Sequence, residues 1–81
     1  MYKNKGVDGR NNVCGKKVKE FRKSLPGSPS QRVFSEMLQI YGLDVDKNAV
    51  QRIETGERFV TDIELKILVK VLNVQYKDLL D

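Results

Sequence analysis

The segment from Asp46 to Gly56 constrains the fold more than any other part of the chain. Asp46 is a good helix N-cap, because its carboxylate can accept hydrogen bonds from the free N–H groups of the first turn. Gly56 suits the left-handed position just after a helix end. Between them Ala49, Val50 and Ile53 recur at three- and four-residue spacing on one side. The segment is therefore predicted to form one short helix with a thin apolar edge.

The opposite side of this helix carries amide and basic side chains. They are Lys47, Asn48, Gln51 and Arg52. These residue types can reach base edges in the major groove of DNA, and a recognition helix presents such groups outward from an apolar edge. The alternative is an ordinary amphipathic surface helix, and this segment alone favours neither interpretation.

Length and composition limit the kinds of function. The chain has 81 residues, of which 40% are hydrophobic and 32% charged, as expected for one small globular domain with a small core. We find no apolar run of membrane-spanning length and no apolar signal-peptide core at the N-terminus. We therefore expect a cytoplasmic protein with no membrane partner.

Cysteine and histidine usage argues against catalysis and metal binding. Cys14 is the only cysteine and there is no histidine, which excludes an internal disulfide, a zinc site of the usual Cys/His kind and a His-based catalytic triad. The carboxylates are scattered, without an obvious pocket. We expect no enzyme activity, no metal and no cofactor, and we interpret Cys14 as a small buried hydrophobe rather than a redox group.

Positive charge is concentrated at the N-terminus. Residues 1–23 hold eight basic and two acidic residues, a net +6, whereas residues 24–81 hold seven basic and nine acidic residues, a net −2. This distribution suggests an anionic partner such as nucleic acid, although a solvated tail and one charged helix face would look the same. Residues 1–11 lack periodicity and are predicted to be a flexible basic arm, which either follows DNA phosphates or is disordered in the free protein.

Residues 12–81 show only helical spacing. Asn12 is predicted to cap a helix over about 13–23, and Ser30 is predicted to cap a second helix that ends near Gly42. Thr61 and Glu64 form a capping-box pattern at the start of helix 4. Their apolar stripes are Cys14, Val18, Phe21 and Leu25 for helix 1, and Val33, Phe34, Met37, Leu38 and Tyr41, with Ile40 beside them, for helix 2.

Helix 4 is apolar over more than one stripe and is predicted to stop at Asn73, before a short helix over about 75–80. No strand is predicted. The expected fold is all-α, a compact bundle of five short helices.

Three short motifs occur in the order of a known family. Ser30-Gln31 begins helix 2, Ile53-Glu54-Thr55-Gly56 ends helix 3, and an apolar segment over 65–74 precedes the last helix. Over roughly residues 13–80 the chain resembles the lambda-repressor-like helix-turn-helix family, also called the Xre family, of DNA-binding regulators. The resemblance implies a helix-turn-helix domain and a sequence-specific, double-stranded DNA-binding transcription regulator.

The resemblance also implies roles for individual residues. Gln31 and the loop containing Arg58 would contact phosphates, and Arg22 and Glu54 would form an ion pair between helices 1 and 3. The base-contacting residues would be Lys47, Asn48 and Arg52, with Gln51 beside them. We expect the helix 1 lysines, Lys16, Lys17 and Lys23, to add phosphate contacts.

The chain departs from the family pattern in two ways. The stretch from helix 2 to helix 3 is about five residues longer than usual, so that either helix 2 gains a turn or the connecting turn is enlarged. Asp46 places a carboxylate where the family often has Ser or Thr able to touch phosphate. The recognition segment is also neutral, because three basic residues oppose three acidic ones. They are Lys47, Arg52 and Arg58 against Asp46, Glu54 and Glu57.

Two further expectations concern partners. A protein-interaction module on the same fold is the alternative to a DNA-binding regulator. The apolar excess of helix 4 predicts a two-fold homodimer through helix 4, helix 5 or a longer helix 2, unless that longer helix 2 covers the excess within one molecule. The candidate contact residues are Ile67, Val71, Tyr76 and Leu80. We expect no small-molecule ligand, because no effector domain follows the fifth helix.

Overall fold

The computed structural model of the chain describes residues 12–80 and the backbone of Lys3–Asn4. Five helices and two short strands make up this part. They are β1 (Lys3–Asn4), α1 (Gly15–Ser24), α2 (Gln31–Ile40), α3 (Lys47–Thr55), β2 (Val60–Thr61), α4 (Asp62–Leu72) and α5 (Tyr76–Leu80). The helical fold and the order of the helices agree with the prediction.

One hydrophobic core joins all five helices. α3 packs against both α1 and α2, and α4 packs against α1, α2 and α5. The largest completely buried hydrophobic side chains are Phe34, Leu38, Ile53, Leu68 and Leu79. α3 is therefore fixed to the rest of the fold along one side only.

The first helix starts later than predicted. α1 begins at Gly15, and Val13 is exposed rather than helical. Asn12 nevertheless acts as a cap, because its Oδ1 accepts a 2.8 Å hydrogen bond from the Gly15 amide. Cys14 is completely buried, as predicted for a small hydrophobe.

The extra residues between the second and third helices enlarge the turn and do not extend the helix. α2 ends at Ile40, and residues 41–46 connect it to α3. Gly42 has a φ of 94°, and the Leu43 amide donates to the Leu38 carbonyl at 3.0 Å, a Schellman type of helix end.

The enlarged connection is held against the core. Leu43 and Val45 are buried, at 7% and 3% exposed. The Gln39 amide nitrogen donates to the Val45 carbonyl at 2.7 Å. Because two buried side chains and a side-chain hydrogen bond fix residues 43–45, the position of the start of α3 is defined.

Several apolar positions differ from the predicted stripes. Ile40 is 83% exposed because it lies on the face of α2 opposite Phe34 and Leu38, and Tyr41, which follows the last residue of the helix, is 51% exposed. Val33 is also partly exposed. Val71, which was predicted to be a surplus apolar residue of helix 4, lies in the core at 9% exposed.

The prediction of no strands is wrong. β1 pairs with β2 antiparallel, with Lys3 opposite Thr61 and Asn4 opposite Val60. Two-residue strands are too short to show an alternating pattern in sequence. The rest of the predicted basic arm lies outside the described residues.

The last two helices begin and end largely as predicted. Thr61 and Glu64 form a reciprocal capping box at the start of α4, and Asn73 adopts the left-handed conformation at its end. No helix in the described part of the chain is both long enough and apolar enough to cross a bilayer.

Candidate nucleic-acid interface

The two sides of α3 have opposite character. Ala49, Val50 and Ile53 are buried, at 8%, 0% and 1% exposed, and they attach the helix to α1 and α2. On the other side all four predicted base-contacting residues are exposed. They are Lys47, Asn48, Gln51 and Arg52.

Both ends of α3 are capped as the sequence indicates. The Asp46 Oδ1 accepts a 2.8 Å hydrogen bond from the Ala49 amide, and Gly56 adopts a φ of 89° while its amide donates to the Ile53 carbonyl. The Asp46 carboxylate therefore satisfies the first turn of α3, where a negative charge is favourable.

The exposed side chains of α3 have no internal partners. Within residues 12–80, none of the side chains of Lys47, Asn48, Gln51 and Arg52 makes a hydrogen bond or an ion pair. Their donors and acceptors thus all face solvent. This set of unused polar groups on one helix face is the main feature of the site.

A buried ion pair fixes the C-terminal part of α3. The Arg22 Nε and Nη2 atoms donate to the Glu54 carboxylate at 2.6 and 3.1 Å, and the two side chains are only 8% and 2% exposed. Arg22 also donates to the Pro29 carbonyl at 2.8 Å. The ion pair predicted from the family resemblance is present, and it joins α1, α3 and the loop before α2.

Gln31 belongs to the same junction. Its amide nitrogen donates to Glu54 Oε1 at 3.0 Å, so that one of its two N–H bonds is used inside the protein. Only its second N–H remains for the predicted phosphate contact.

Arg58 is placed differently from the expectation of a phosphate-binding side chain. Its two terminal nitrogens donate to the two carboxylate oxygens of Glu64, at 3.2 and 2.9 Å. Glu64 in turn accepts from the Thr61 amide at 3.0 Å. Because both terminal nitrogens of its guanidinium are already paired with Glu64, Arg58 stabilises the loop before α4 and is poorly suited to bind phosphate.

These contacts lower the pKa of the Glu64 carboxyl group. Partial burial acts to raise the pKa of Glu64, but the hydrogen bonds from Arg58 and Thr61 and the charge of Arg58 outweigh it, and the pKa is held below its ordinary value. The carboxylate is therefore charged when it accepts these hydrogen bonds.

The lysines of α1 lie on the surface. Lys16 and Lys23 are exposed and about two helical turns apart, so they share one face. Lys17 lies 3.9 Å from Glu20 in a pair whose side chains are 44% and 67% exposed. All three ammonium groups are open to solvent partners.

The contribution of two residues to the site was not predicted from the sequence. Asn12 is completely buried, and its amide nitrogen donates to the carbonyls of Ile53 and Arg58 at 3.1 and 2.8 Å. Arg32, at the start of α2, is exposed and its side chain makes no ion pair within the described residues. Exposed arginine is a common sequence feature, so Arg32 did not stand out. Asn12 was predicted only as a helix cap, because contacts across forty or more residues leave no local pattern.

Ion pairing removes two charges of the recognition segment from its exposed surface without changing the balance. Glu54 is buried against Arg22, and Arg58 is paired with Glu64. The exposed charges that remain over the same segment are Lys47 and Arg52 against Asp46 and Glu57, two minus two, or zero. The segment is therefore neutral at its surface as well as in composition, although the exposed charged residues within α3 itself are both basic.

Comparisons with protein-family models, curated proteins and solved structures found no match for this chain.

Proposed function

We propose that the protein is a sequence-specific, double-stranded DNA-binding transcription regulator in which α3 reads the major groove. The observation that carries the proposal is the exposed face of α3, where four adjacent amide and basic side chains have no partner within residues 12–80. The capped ends and buried edge of the same helix hold these groups on a rigid element.

The types of side chain suit direct readout of bases. The guanidinium of Arg52 can donate twice to guanine O6 and N7, and the amides of Asn48 and Gln51 can pair with adenine N6 and N7. Lys47, at the first position of α3, would meet a neighbouring base pair. The major groove is about 12 Å wide and admits an α-helix.

In this proposal α2 and α3 form a helix-turn-helix with an enlarged turn. The support is that α2 and α3 are consecutive and packed together, and that Leu43, Val45 and Gln39 hold their connection to the core. A longer turn need not make the recognition helix loose when its residues are buried.

Phosphate contacts are assigned here to side chains that keep free donors in the folded protein. Arg32 and the second N–H of Gln31 at the start of α2 take the role expected of Arg58, whose guanidinium is occupied by Glu64. The lysines of α1 contribute further phosphate contacts. They are Lys16, Lys17 and Lys23. Such contacts supply affinity and register but no sequence preference.

Selection of bound sequences from a random duplex pool tests the proposal directly. We expect one preferred site. On that site Arg52→Ala should weaken binding by ~1–3 kcal/mol and relax the preference at one position. Lys77→Ala is the matched control, because it removes one positive charge from an exposed residue of α5. This variant should retain the sequence preference. If Arg52→Ala binds selected and scrambled duplexes as the parent does, α3 does not read DNA.

The phosphate assignment has its own comparison. Arg32→Ala should weaken binding to every duplex alike and reduce the slope of log K against log salt by about one unit. Arg58→Ala should change this slope less, because Arg58 is already paired. Equal slopes for the parent and Arg32→Ala would contradict the assignment.

A protein-interaction module on the same fold is the competing function. Exposed apolar residues outside α3, Ile40 above all, favour some protein contact. Absence of salt-dependent retention on duplex DNA would select this function, because binding through phosphates requires a steep dependence on salt.

A further inference from the structure

The end of α2 presents an unusual apolar projection. Ile40 is 83% exposed, the largest exposed fraction among the large hydrophobic residues of the described part, and Tyr41 follows it at 51%. Glu36 is one turn earlier on the same face of α2, and Asp44 is exposed in the connection that follows. We name Glu36, Ile40, Tyr41 and Asp44 the α2 knob.

A groove between α4 and α5 has the complementary character. It encloses about 500 Å³ and no carboxylate lines it. Ile63 and Tyr76, two of its lining residues, are 59% and 45% exposed. We name it the α4–α5 groove, and its lining residues are Ile63, Lys66, Ile67, Val69, Lys70, Asn73, Val74 and Tyr76.

The charges of both surfaces are unused inside one molecule. Within residues 12–80, Glu36 and Asp44 make no ion pair, and neither do Lys66 and Lys70. The knob therefore combines apolar side chains with free carboxylates, and the groove combines an apolar lining with free ammonium groups. Opposite charges around matching apolar surfaces favour association and fix its orientation.

We propose that the α2 knob of one molecule seats in the α4–α5 groove of a second copy of the same chain. Ile40 and Tyr41 would enter the groove between Ile63 and Tyr76. Glu36 and Asp44 would face Lys66 and Lys70. This contact uses two different surfaces and is independent of whether the protein binds DNA.

Charge distinguishes this contact from a two-fold dimer through α4 and α5. A two-fold contact places the same patch of both molecules together, which would bring the groove lysines Lys66 and Lys70 near those of the partner. The head-to-tail contact opposes lysines with carboxylates instead. Because a head-to-tail contact leaves one knob and one groove open, it can add further copies unless the rotation closes a ring.

Sedimentation equilibrium of the full chain tests the contact. The interface between the α2 knob and the α4–α5 groove is small, so we expect weak association, detectable over ~10 μM to ~1 mM protein. The average mass of the parent should rise with concentration beyond that of a dimer. The knob variant Ile40→Ser and the groove variant Lys66→Glu/Lys70→Glu should each remain monomeric, with a dissociation constant raised at least about tenfold. Val13→Ser, an exposed hydrophobe before α1, is the matched control and should associate as the parent does.

Mixing the two monomeric variants gives the decisive measurement. The knob variant keeps its groove and the groove variant keeps its knob, so an equal mixture should form a dimer that grows no further. Circular dichroism and the thermal midpoint verify that both variants are folded. A parent that is monomeric across the whole range would overturn the proposal. So would a mixture of the variants that stays monomeric, because each variant supplies the surface that the other lacks, and so would association that survives both sets of changes.

Discussion

Two arginine–glutamate pairs hold α3 and the loop after it, and they differ in depth. Arg22 and Glu54 are 8% and 2% exposed and belong to a junction that also includes Gln31 and the Pro29 carbonyl. Arg58 and Glu64 are 28% and 18% exposed and form a bidentate pair at the start of α4. The same two residue types therefore serve a buried joint between helices in one region and the shape of a surface loop in the other.

The difference explains what remains available for binding. Every buried side-chain nitrogen and oxygen in the described part has a hydrogen-bond partner, so the inner polar groups are satisfied and rigid. The groups left over are those of the outer face of α3, with Arg32 and the α1 lysines. The inner network thus positions the exposed face of α3 without using the donors of that face.

The largest effect is expected for Glu54→Gln. This change removes the negative charge but keeps the shape, and it leaves the Arg22 guanidinium buried without a counter-charge. Stranding one partner of a buried pair costs ~3–5 kcal/mol, which for a domain of this size lowers the thermal midpoint by at least about 12 °C. Glu20→Gln, which changes an exposed glutamate on α1, is the control. An unchanged midpoint for Glu54→Gln would show that the inner junction is no tighter than the outer pair.

The second effect concerns Asn12, which links the two regions. Its amide nitrogen donates to Ile53 in α3 and to Arg58 in the loop, and its oxygen caps α1. Asn12→Ala strands these groups and should cost ~1–3 kcal/mol. Asn12→Asp should be worse, because it turns a carboxylate toward two carbonyls. Asn48→Ala on the exposed face should leave stability unchanged. Denaturant unfolding measures all three, and equal stability of Asn12→Asp and the parent would remove Asn12 from the network.

The sequence predicts those features of the fold that depend only on neighbouring residues. The caps at Ser30, Asp46, Thr61 and Asn73 are correct because each depends on a few neighbouring residues. The three residues of the apolar edge of α3 and the four of its exposed face were also predictable from spacing. The Arg22–Glu54 pair came from the family resemblance and not from spacing.

The rest depends on tertiary structure. Tyr41 continues the apolar stripe of α2 in sequence, but the helix ends at Ile40 and leaves Tyr41 exposed. Arg58 looks like a free loop cation until Glu64 folds back to it. Asn12 acts through hydrogen bonds that span 41 and 46 residues. None of these outcomes has a local signature, because each depends on where a distant segment packs.

The outer pair should make stability depend on pH. Because the pKa of Glu64 is lowered in the folded protein, its stabilisation is complete above the unfolded-state pKa and is lost as the pH falls through the folded-state pKa. The stability difference between the parent and Glu64→Gln should then be largest near neutral pH and shrink below about pH 4.5. In an Arg58→Ala background the shrinkage should be smaller, because Arg58 supplies the main lowering contact. A pH-independent difference would show that Glu64 acts only through its capping hydrogen bond.

The smallest effect is expected where neither partner is buried. Lys17 and Glu20 are separated by 3.9 Å, with side chains 44% and 67% exposed. Exposed pairs of this kind are screened by water and salt and contribute between zero and about 1 kcal/mol, so Glu20→Gln should leave the thermal midpoint nearly unchanged. The same change removes a carboxylate beside Lys17, a proposed phosphate contact, and should strengthen binding to every duplex slightly without altering sequence preference. Thermal unfolding and a duplex titration at low salt provide the two readouts. A loss of stability comparable to that of Glu54→Gln would contradict the expectation that the stabilisation by an ion pair grows with its burial. Weaker duplex binding would indicate that Glu20 positions Lys17 instead of competing with phosphate for it.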